Sequence, residues 1–335
     1  MIEHWKLDSI SSFTPVNAGS VASTIIIETS NKARYAAKKR RHITPASRDR
    51  SMAGHRIALS AISKGFPAAE PIRAVSGEYL VTPVEGDLSY ELRRFVPGDR
   101  PQTPEDHHAS GSALAQLHLA ARDAPTEGLG RLWFHNRRTV VEALDAFAHP
   151  DTEQLAEDYR KASATVAALG ASQWPACICH GDWHPGNIVT QNQAVRVILD
   201  FDDARLAPAC TDLTTGALHA SAKRADRSGA FDLARLRSFL SGYAEGQGRL
   251  PAEQSRAFPA MMVQAMLAET ARLIAAHTPA LSSENKAQPV SPTTMTDLTR
   301  GPLPGAVQLI AARTAWIEAN SSKIDSALRE AGLVA

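Results

Sequence analysis

The sequence predicts an α+β protein with two lobes, a β-rich lobe over residues 1–97 and a mainly helical lobe over residues 98–335. The first observation is a β-branched run at 21–28, followed by a polar turn and a second strand-like segment at 33–39, which is typical of a hairpin. The second is the recurrence of apolar residues at helical spacing through most of the chain after residue 98. With 335 residues, the chain is also longer than a protein built around one small hydrophobic core usually is.

The first lobe continues beyond this hairpin. Residues 46–64 have apolar positions that favour a helix, and residues 79–81 and 92–96 are predicted strands that close the first sheet. Pro97 and Gly98 then break the chain, which places the predicted lobe boundary there.

The second lobe begins with a helix start at Thr103, an N-cap residue that precedes Pro104 and two acidic residues. Further helices are predicted at about 136–148, 152–169, 231–243, 251–277 and 306–329. Five prolines in residues 278–304 predict a flexible connection or a lid rather than a domain boundary.

Charge and hydropathy narrow the class of protein. The chain carries a net charge of +1, with 44% hydrophobic and 21% charged residues, as is usual for soluble globular proteins. No global positive field favours nucleic acid or an acidic membrane, so neither is an expected partner. No apolar run approaches the roughly 18 residues that a transmembrane helix needs. The first residues lack a signal-peptide core, and a cytoplasmic protein is therefore expected.

The cysteines do not indicate a disulfide framework, since the chain has only Cys177, Cys179 and Cys210. Cys177 and Cys179 form a C-x-C pair without the second pair that would complete a zinc site. We therefore expect buried thiols.

The strongest functional signal is a pair of acidic loops. Residues 180–187 are His-Gly-Asp-Trp-His-Pro-Gly-Asn, with Asp182 and Asn187 five residues apart, and Asp200 follows a short apolar strand. In phosphoryl transfer, one carboxylate accepts the proton of an attacking hydroxyl, while an amide oxygen and a second carboxylate hold Mg²⁺ against the nucleotide phosphates. Calcium-binding turns or solvated loops would not need this whole set.

Both loops resemble those of a known family. Residues 180–187, followed by Asp-Phe-Asp-Asp-Ala at 200–204, are similar to the aminoglycoside phosphotransferase and choline kinase-like family, which has a two-lobed protein-kinase-like fold. Within it, they look most like type II homoserine kinases, antibiotic phosphotransferases and the stress-response kinase. The resemblance implies Mg²⁺ and ATP, with GTP possible, as cofactors. It also implies that Asp182 is the catalytic base and that Asn187 and Asp200 are metal ligands.

The resemblance further implies a nucleotide site in the first lobe. Lys38, near the end of the second strand, would pair with the α- and β-phosphates, with Lys39 as the alternative. A solvated basic strand end is the plainer interpretation of the same residues. Gly19 and Ser20 lie in a small-residue turn whose N–H groups would cover the phosphates, although most such turns are only turns.

The segment 90–98 would connect the two lobes. In the family, the backbone of such a segment hydrogen-bonds the adenine edge, which makes Arg94 and Phe95 candidate nucleotide contacts, and an ordinary edge strand is the alternative.

The helix at 46–64 departs from the family pattern. Kinase-like lobes often carry a helix glutamate that pairs with the strand lysine, but this chain has Gly54 and His55 there. Asp49 is the nearest upstream acid, and the ion pair is therefore replaced, absent or elsewhere.

Four residues are candidates for contact with the acceptor. Trp183 and His184 adjoin the proposed base and are candidates to line an acceptor pocket, with capping of the loop as an equal alternative for His184. Asp202 could touch a second Mg²⁺ or a substrate amine. Glu269 could face the cleft, and a solvated glutamate is the alternative.

Three residues have predicted structural roles. His180 is expected to hydrogen-bond backbone behind the loop, because Asp182 already supplies the base. Asp212 resembles the family's second aspartate, which braces the loop. His118 is expected to be a core or capping histidine.

The leading functional hypothesis is an ATP- and Mg²⁺-dependent O-phosphotransferase. Its acceptor would be a small hydroxylated metabolite or antibiotic that carries an amine, such as homoserine, choline or an aminoglycoside. The alternatives are a Ser/Thr protein kinase resembling the stress-response kinase and a nucleotide-binding regulator without catalysis. A monomer or a homodimer is expected.

Overall fold

The computed structural model describes residues 2–16, 22–41, 44–83, 88–131, 137–223, 228–277 and 303–334. The first part of the chain contains α1 (Ile2–Trp5), β1 (Ile10–Val16), β2 (Ala22–Thr29), β3 (Arg34–Arg41), α2 (Pro45–Ser63), β4 (Leu80–Val81) and β5 (Leu88–Arg94). Its strands form one antiparallel sheet in the order β1-β2-β3-β5-β4. This confirms the predicted strand-rich first part.

The remainder is mainly helical, which confirms the α+β class. Its helices are α3 (Pro104–Ala120), α4 (Arg137–Asp145), α5 (Thr152–Ala168), α6 (Ala209–Ser221), α7 (Leu233–Glu245), α8 (Ala252–His277), α9 (Leu303–Ala319) and α10 (Ser321–Glu330). Its short strands are β6 (Gly130–Arg131), β7 (Cys177–Cys179), β8 (Ile188–Gln191), β9 (Ala194–Ile198) and β10 (Arg205–Ala207). The last strand of the first sheet ends at Arg94 and α3 begins at Pro104, while the division at residue 97 stays a prediction.

The predicted helix boundaries hold best where capping residues mark them. Thr103 accepts a hydrogen bond from the Asp106 N–H at 3.2 Å, and the Asp106 carboxylate accepts one from the Thr103 N–H at 3.1 Å. This capping box satisfies the first free N–H groups of α3. The prediction of one final helix was wrong, because α9 and α10 are separated at Asn320. Of the predicted connection at 278–304, residues 278–302 lie outside the described residues.

Strand β3 has two different faces. Ala37 is buried in the small apolar core of the first part, with Ile27 and Leu92. Since side chains alternate across a strand, Lys38 and Arg40 lie on the opposite face. Lys38 is paired in register with Glu91 of β5. The sheet therefore presents charged side chains toward the second part of the chain.

The two acidic loops are brought together by strand pairing. Strand β7 pairs antiparallel with β10, with Cys179 opposite Arg205. The residues that follow Cys179 and those that precede Arg205 are consequently neighbours. The hairpin of β8 and β9 connects these loops. Pairing of short strands thus places residues 180–187 beside residues 199–204.

Candidate active site

Asp182 lies in the loop after β7 and is largely buried. Its Oδ2 accepts a hydrogen bond from Asn187 Nδ2 at 2.9 Å, and His184 Nε2 lies 3.3 Å from the same oxygen. The Gly186 N–H donates to His184 Nδ1 at 3.0 Å, which assigns the ring proton to Nε2. Burial raises the pKa of Asp182, but the imidazoles of His184, His180 and His219 together more than offset burial and hold this pKa well below its usual range. Asp182 is therefore an ionised carboxylate whose Oδ2 is held from two sides.

The Asn187 amide has a defined orientation. Its Nδ2 donates to the backbone carbonyl of Asp182 at 3.0 Å as well as to the carboxylate. Both amide hydrogens are thus engaged, which turns Oδ1 away from Asp182. An amide oxygen in this position is a suitable ligand for a hard cation.

Asp212 braces the first loop from α6. Its Oδ2 accepts from the His180 N–H at 2.6 Å and its Oδ1 from the Gly181 N–H at 2.9 Å. His180 Nε2 lies 2.9 Å from the carbonyl oxygen of Leu199, which connects the first loop to the second. Gly181 has φ +82°, and a Cβ atom there would lie 2.0 Å from the Asp203 carbonyl oxygen. These contacts confirm the predicted bracing by Asp212 and the backbone contact of His180.

His118 holds Asp212 from α3, with Nε2 3.3 Å from Asp212 Oδ2 and Nδ1 3.1 Å from the Tyr243 hydroxyl. Burial lowers the pKa of His118, but the hydrogen bonds and electrostatic interactions with Asp212 and Cys179 together outweigh burial and raise the pKa to about 9. The Sγ atoms of Cys177 and Cys179 lie within 4.8 Å of a ring nitrogen of His118, and the contact with Cys177, together with burial, raises the Cys179 pKa. His118 and Asp212 thus form an imidazolium–carboxylate pair beside the protonated thiol of Cys179. Both ring nitrogens of His118 already have partners, so neither is free to hold a metal ion.

The second loop joins the two parts of the chain. Lys38 Nζ lies 2.8 and 2.7 Å from the two carboxylate oxygens of Asp200, and 2.8 Å from Asp202 Oδ2. Asp200 itself has a left-handed backbone, with φ 56° and ψ 75°. Lys38 rather than Lys39 therefore reaches the acidic loop.

Lys38 has acidic partners, but neither comes from helix α2. Gly54 occupies the place of the expected glutamate, and a Cβ atom there would lie 2.3 Å from the Phe201 carbonyl oxygen. The neighbouring His55 instead contacts a carboxylate of β5, with Nε2 2.9 Å from Glu91 Oε2. Asp49 is exposed on α2. The helix thus supplies an imidazole, and the acid comes from the sheet.

Glu91 and Asp202 are connected by Arg40. Arg40 Nη2 forms ion pairs with Asp202 Oδ2 at 2.5 Å and with Glu91 Oε1 at 3.3 Å. Burial raises the pKa of Asp202, but Lys38 and Arg40 outweigh burial and hold it well below its usual range. Asp202 therefore faces cations of β3, which does not fit its predicted contact with a substrate amine.

Two predicted acceptor residues occupy different environments. Trp183 is only 1% exposed and donates its ring N–H to Ser110 Oγ at 3.1 Å. Its side chain lies in the apolar core, which does not fit a role in lining an acceptor pocket. Glu269 of α8 lies close to His219 of α6, with Oε1 3.4 Å from Nε2.

Sequence reasoning missed His219 and Arg272, which lie near Asp182 and Glu269. The His219 ring centroid is 5.6 Å from that of His184. Burial lowers the pKa of Arg272, and Arg205 lowers it further, although Asp203, Glu269 and Asp182 act in the opposite direction. Sequence spacing gives no signal for His219, because its position depends on the packing of α6 against α8. Arg272 is one helical turn from Glu269, which is a weak signal.

The predicted nucleotide contacts are described in part. Gly19 and Ser20 lie outside the described residues. The Phe95 N–H donates to the Arg34 carbonyl oxygen at 3.1 Å, so it is already used and does not fit a hydrogen bond to adenine. Because hydrogen bonds alternate along an antiparallel pair, the backbone groups of Arg94 face away from β3. Of these two residues, Arg94 therefore remains the candidate for a backbone hydrogen bond to adenine.

Curated homoserine kinases are similar in sequence to part of this chain. The homoserine kinase of Xanthobacter autotrophicus is 28% identical over 185 residues, which make up 54% of this chain and 56% of that protein. The homoserine kinase of Rhodopseudomonas palustris is 29% identical over 199 residues, covering 57% and 58%. The chain thus spans little more than half the length of these curated relatives.

Solved structures of low sequence identity show the same fold. An amicoumacin kinase in complex with AMP-PNP, Ca²⁺ and Ami superposes with a TM-score of 0.68 at 13% identity, covering 93% of this chain and 91% of that one. An aminoglycoside phosphotransferase from Alicyclobacillus acidocaldarius gives 0.61 at 20% identity, covering 96% and 95%. A microcompartment-associated aminopropanol kinase gives 0.62 at 16% identity, covering 96% of each chain.

Two further findings concern the chain as a whole. None of the described helices combines the length and apolar composition that crossing a bilayer requires. The family model described as the phosphotransferase enzyme family, APH, matches residues 12–250. Because this match covers more than half of the sequence, the chain belongs to the APH phosphotransferase enzyme family.

Proposed function

We propose that this chain is a Mg²⁺-dependent O-phosphotransferase that transfers the γ-phosphoryl group of ATP to a hydroxyl of a small, amine-bearing molecule. The observation that carries the proposal is the contact of Lys38 with Asp200, beside the loop that holds Asp182 and Asn187. This arrangement brings together a lysine cation, two side-chain oxygens of the kind that hold Mg²⁺ and an ionised carboxylate, and it supports the proposed roles of these groups. Phosphoryl transfer needs mainly such positioning and charge neutralisation.

Each residue has a role in this proposal. Asp182 would orient the acceptor hydroxyl and receive its proton, while Lys38 would bind the nucleotide phosphates. Asn187 and Asp200 offer an amide oxygen and a carboxylate, which fit Mg²⁺. The ion would supply neutralisation of the charge on the phosphate oxygens. His184 would hold Asp182 in place through its contact with Oδ2. This supports the alternative in which His184 caps the loop.

Glu269 supports an acceptor that carries an amine. Its side chain is buried, and Oε2 has no hydrogen-bond partner among the described residues. A buried carboxylate oxygen without a partner is costly, and a ligand ammonium group would satisfy it. Homoserine is the first candidate, because curated relatives are homoserine kinases. Aminopropanol and aminoglycosides are the next, because proteins of this fold are named for them.

The test is release of ADP or GDP from Mg-ATP or Mg-GTP in the presence of homoserine, choline, aminopropanol, aminoglycosides and a mixed peptide substrate. Asp182→Asn is the matched blank, since it keeps the size of the side chain and removes the charge. We expect turnover with one of the small amines and its loss in the variant. Phosphorylation of peptides alone would favour a protein kinase. Nucleotide binding without turnover across the panel would favour a non-catalytic regulator.

A further inference from the structure

Asp202 is shared by two cations of one strand. Its Oδ2 lies 2.8 Å from Lys38 Nζ and 2.5 Å from Arg40 Nη2. Lys38 and Arg40 are two residues apart on β3, so both side chains lie on the same face of the sheet. The acid therefore fixes the ends of both side chains relative to each other.

Arg40 is in turn fixed by a fully buried acid. Glu91 is 0% exposed and its Oε1 lies 3.3 Å from Arg40 Nη2 and 3.3 Å from Arg93 Nη2. Its second oxygen lies 2.9 Å from His55 Nε2 of α2. A buried carboxylate needs such partners, because burial removes the solvent that would otherwise stabilise its charge. Contacts thus run without interruption from His55 through Glu91, Arg40 and Asp202 to Lys38.

We propose that Asp202 positions Lys38 for the nucleotide phosphates, and that Arg40 and Glu91 hold Asp202 in place. This series of contacts, called the relay below, replaces the helix glutamate that kinase-like lobes often pair with the strand lysine. The proposal rests on the proposed phosphotransferase function. Asp200 is a less suitable partner for this purpose, because a metal ligand is drawn toward its ion. Asp202 has two cationic partners from the sheet, and Arg40 would keep it in place when Lys38 turns to the phosphates.

The local sequence of α2 explains why the relay comes from the sheet. Position 54 has no room for a side chain against the Phe201 carbonyl. Position 55 is an imidazole that already contacts Glu91, and an acid there would face a second buried carboxylate. The helix and the sheet are therefore still connected by a hydrogen bond, but His55 on the helix is the donor and Glu91 on the sheet is the acid.

The test is the affinity for Mg-ATP, measured by calorimetry without any acceptor, in Asp202→Asn, Arg40→Gln and the double variant. We expect each single variant to weaken binding roughly 10- to 100-fold, the range for loss of one charged hydrogen bond. The double variant should be little worse than either single variant, because both interrupt the same relay. Lys39→Gln is the matched control, since it removes a neighbouring cation from the other face of β3.

Arg40→Gln leaves Glu91 with one cationic partner fewer in the interior, so Arg40→Lys is the second variant in case the first does not fold. It keeps the charge and should retain part of the affinity. Unchanged Mg-ATP affinity in Asp202→Asn, or full additivity in the double variant, would overturn the relay while leaving the proposed function intact. Absence of Mg-ATP binding by the unaltered chain would overturn both. Binding without any acceptor turnover would count against the proposed function alone, since the relay is tested by affinity.

Discussion

Gly54 lies so close to Phe201 that a Cβ atom on the glycine would come within 2.3 Å of the phenylalanine carbonyl oxygen. Helix α2 therefore rests directly on the loop that carries Asp200 and Asp202. This contact excludes a glutamate at position 54 and determines how near the helix lies to the proposed metal ligands.

We expect Gly54→Ala to push the helix and the loop apart. Overpacking of this kind lowers the free energy of unfolding by about 1–3 kcal/mol, and displacement of Asp200 should weaken Mg-ATP binding. Chemical denaturation and calorimetry measure the two effects. Gly305→Ala in α9 is the control, because no atom lies within 4 Å of its added Cβ. Equal behaviour of the two variants would contradict the proposed close contact.

The bracing of the first loop by Asp212 leads to a second prediction. Asp212→Asn leaves one acceptor oxygen where two N–H groups now donate, so the His180–Gly181 backbone should shift. We expect turnover to fall roughly 10- to 100-fold, as small misplacements of catalytic groups do. Asp232→Asn is the control, because Asp232 also accepts from two N–H groups, at the start of α7. A comparable loss of turnover in the control would contradict a specific role for Asp212.

The pKa of His118 predicts a dependence of stability on pH. Folding raises this pKa from 6.5 to about 9, so the folded state binds the proton more tightly than the unfolded chain. The resulting stabilisation, at most about 3 kcal/mol, is fully present below pH 6.5 and is lost as the pH rises through about 9. His118→Asn should therefore lose most stability, relative to the unaltered chain, at low pH.

Denaturation of both proteins across this pH range provides the measurement. The groups that face His118 are Asp212, Tyr243, Cys177 and Cys179. Tyr243→Phe is the control, because it removes the neutral hydroxyl and keeps the ion pair with Asp212. A stability difference that does not shrink above about pH 9 would contradict the protonated state of His118.

The fold class and the two loops were predictable from sequence because both depend on local patterns. β-branched runs, capping residues and the spacing of Asp182, Asn187 and Asp200 are all features of short segments. The role of Glu91 was not predictable, because it depends on the register between the paired strands β3 and β5. This register places Glu91 opposite Lys38. The burial of Trp183 was not predictable for a similar reason. Its neighbours in sequence line the loop, but its side chain turns into a core built by distant helices.

Glu269 leads to a prediction about acceptor choice. If its carboxylate binds the acceptor ammonium, Glu269→Gln should raise KM for an amine-bearing acceptor roughly 10- to 100-fold, the range for a charged hydrogen bond. It should leave KM for the matching acceptor without an amine unchanged. Homoserine and 4-hydroxybutanoate form such a pair, since they differ only in the amine. Glu253→Gln is the control, because Glu253 is an exposed glutamate in the first turn of the same helix. Equal losses with both acceptors would assign Glu269 to packing with His219, because a purely structural role cannot distinguish an acceptor amine from a hydrogen atom.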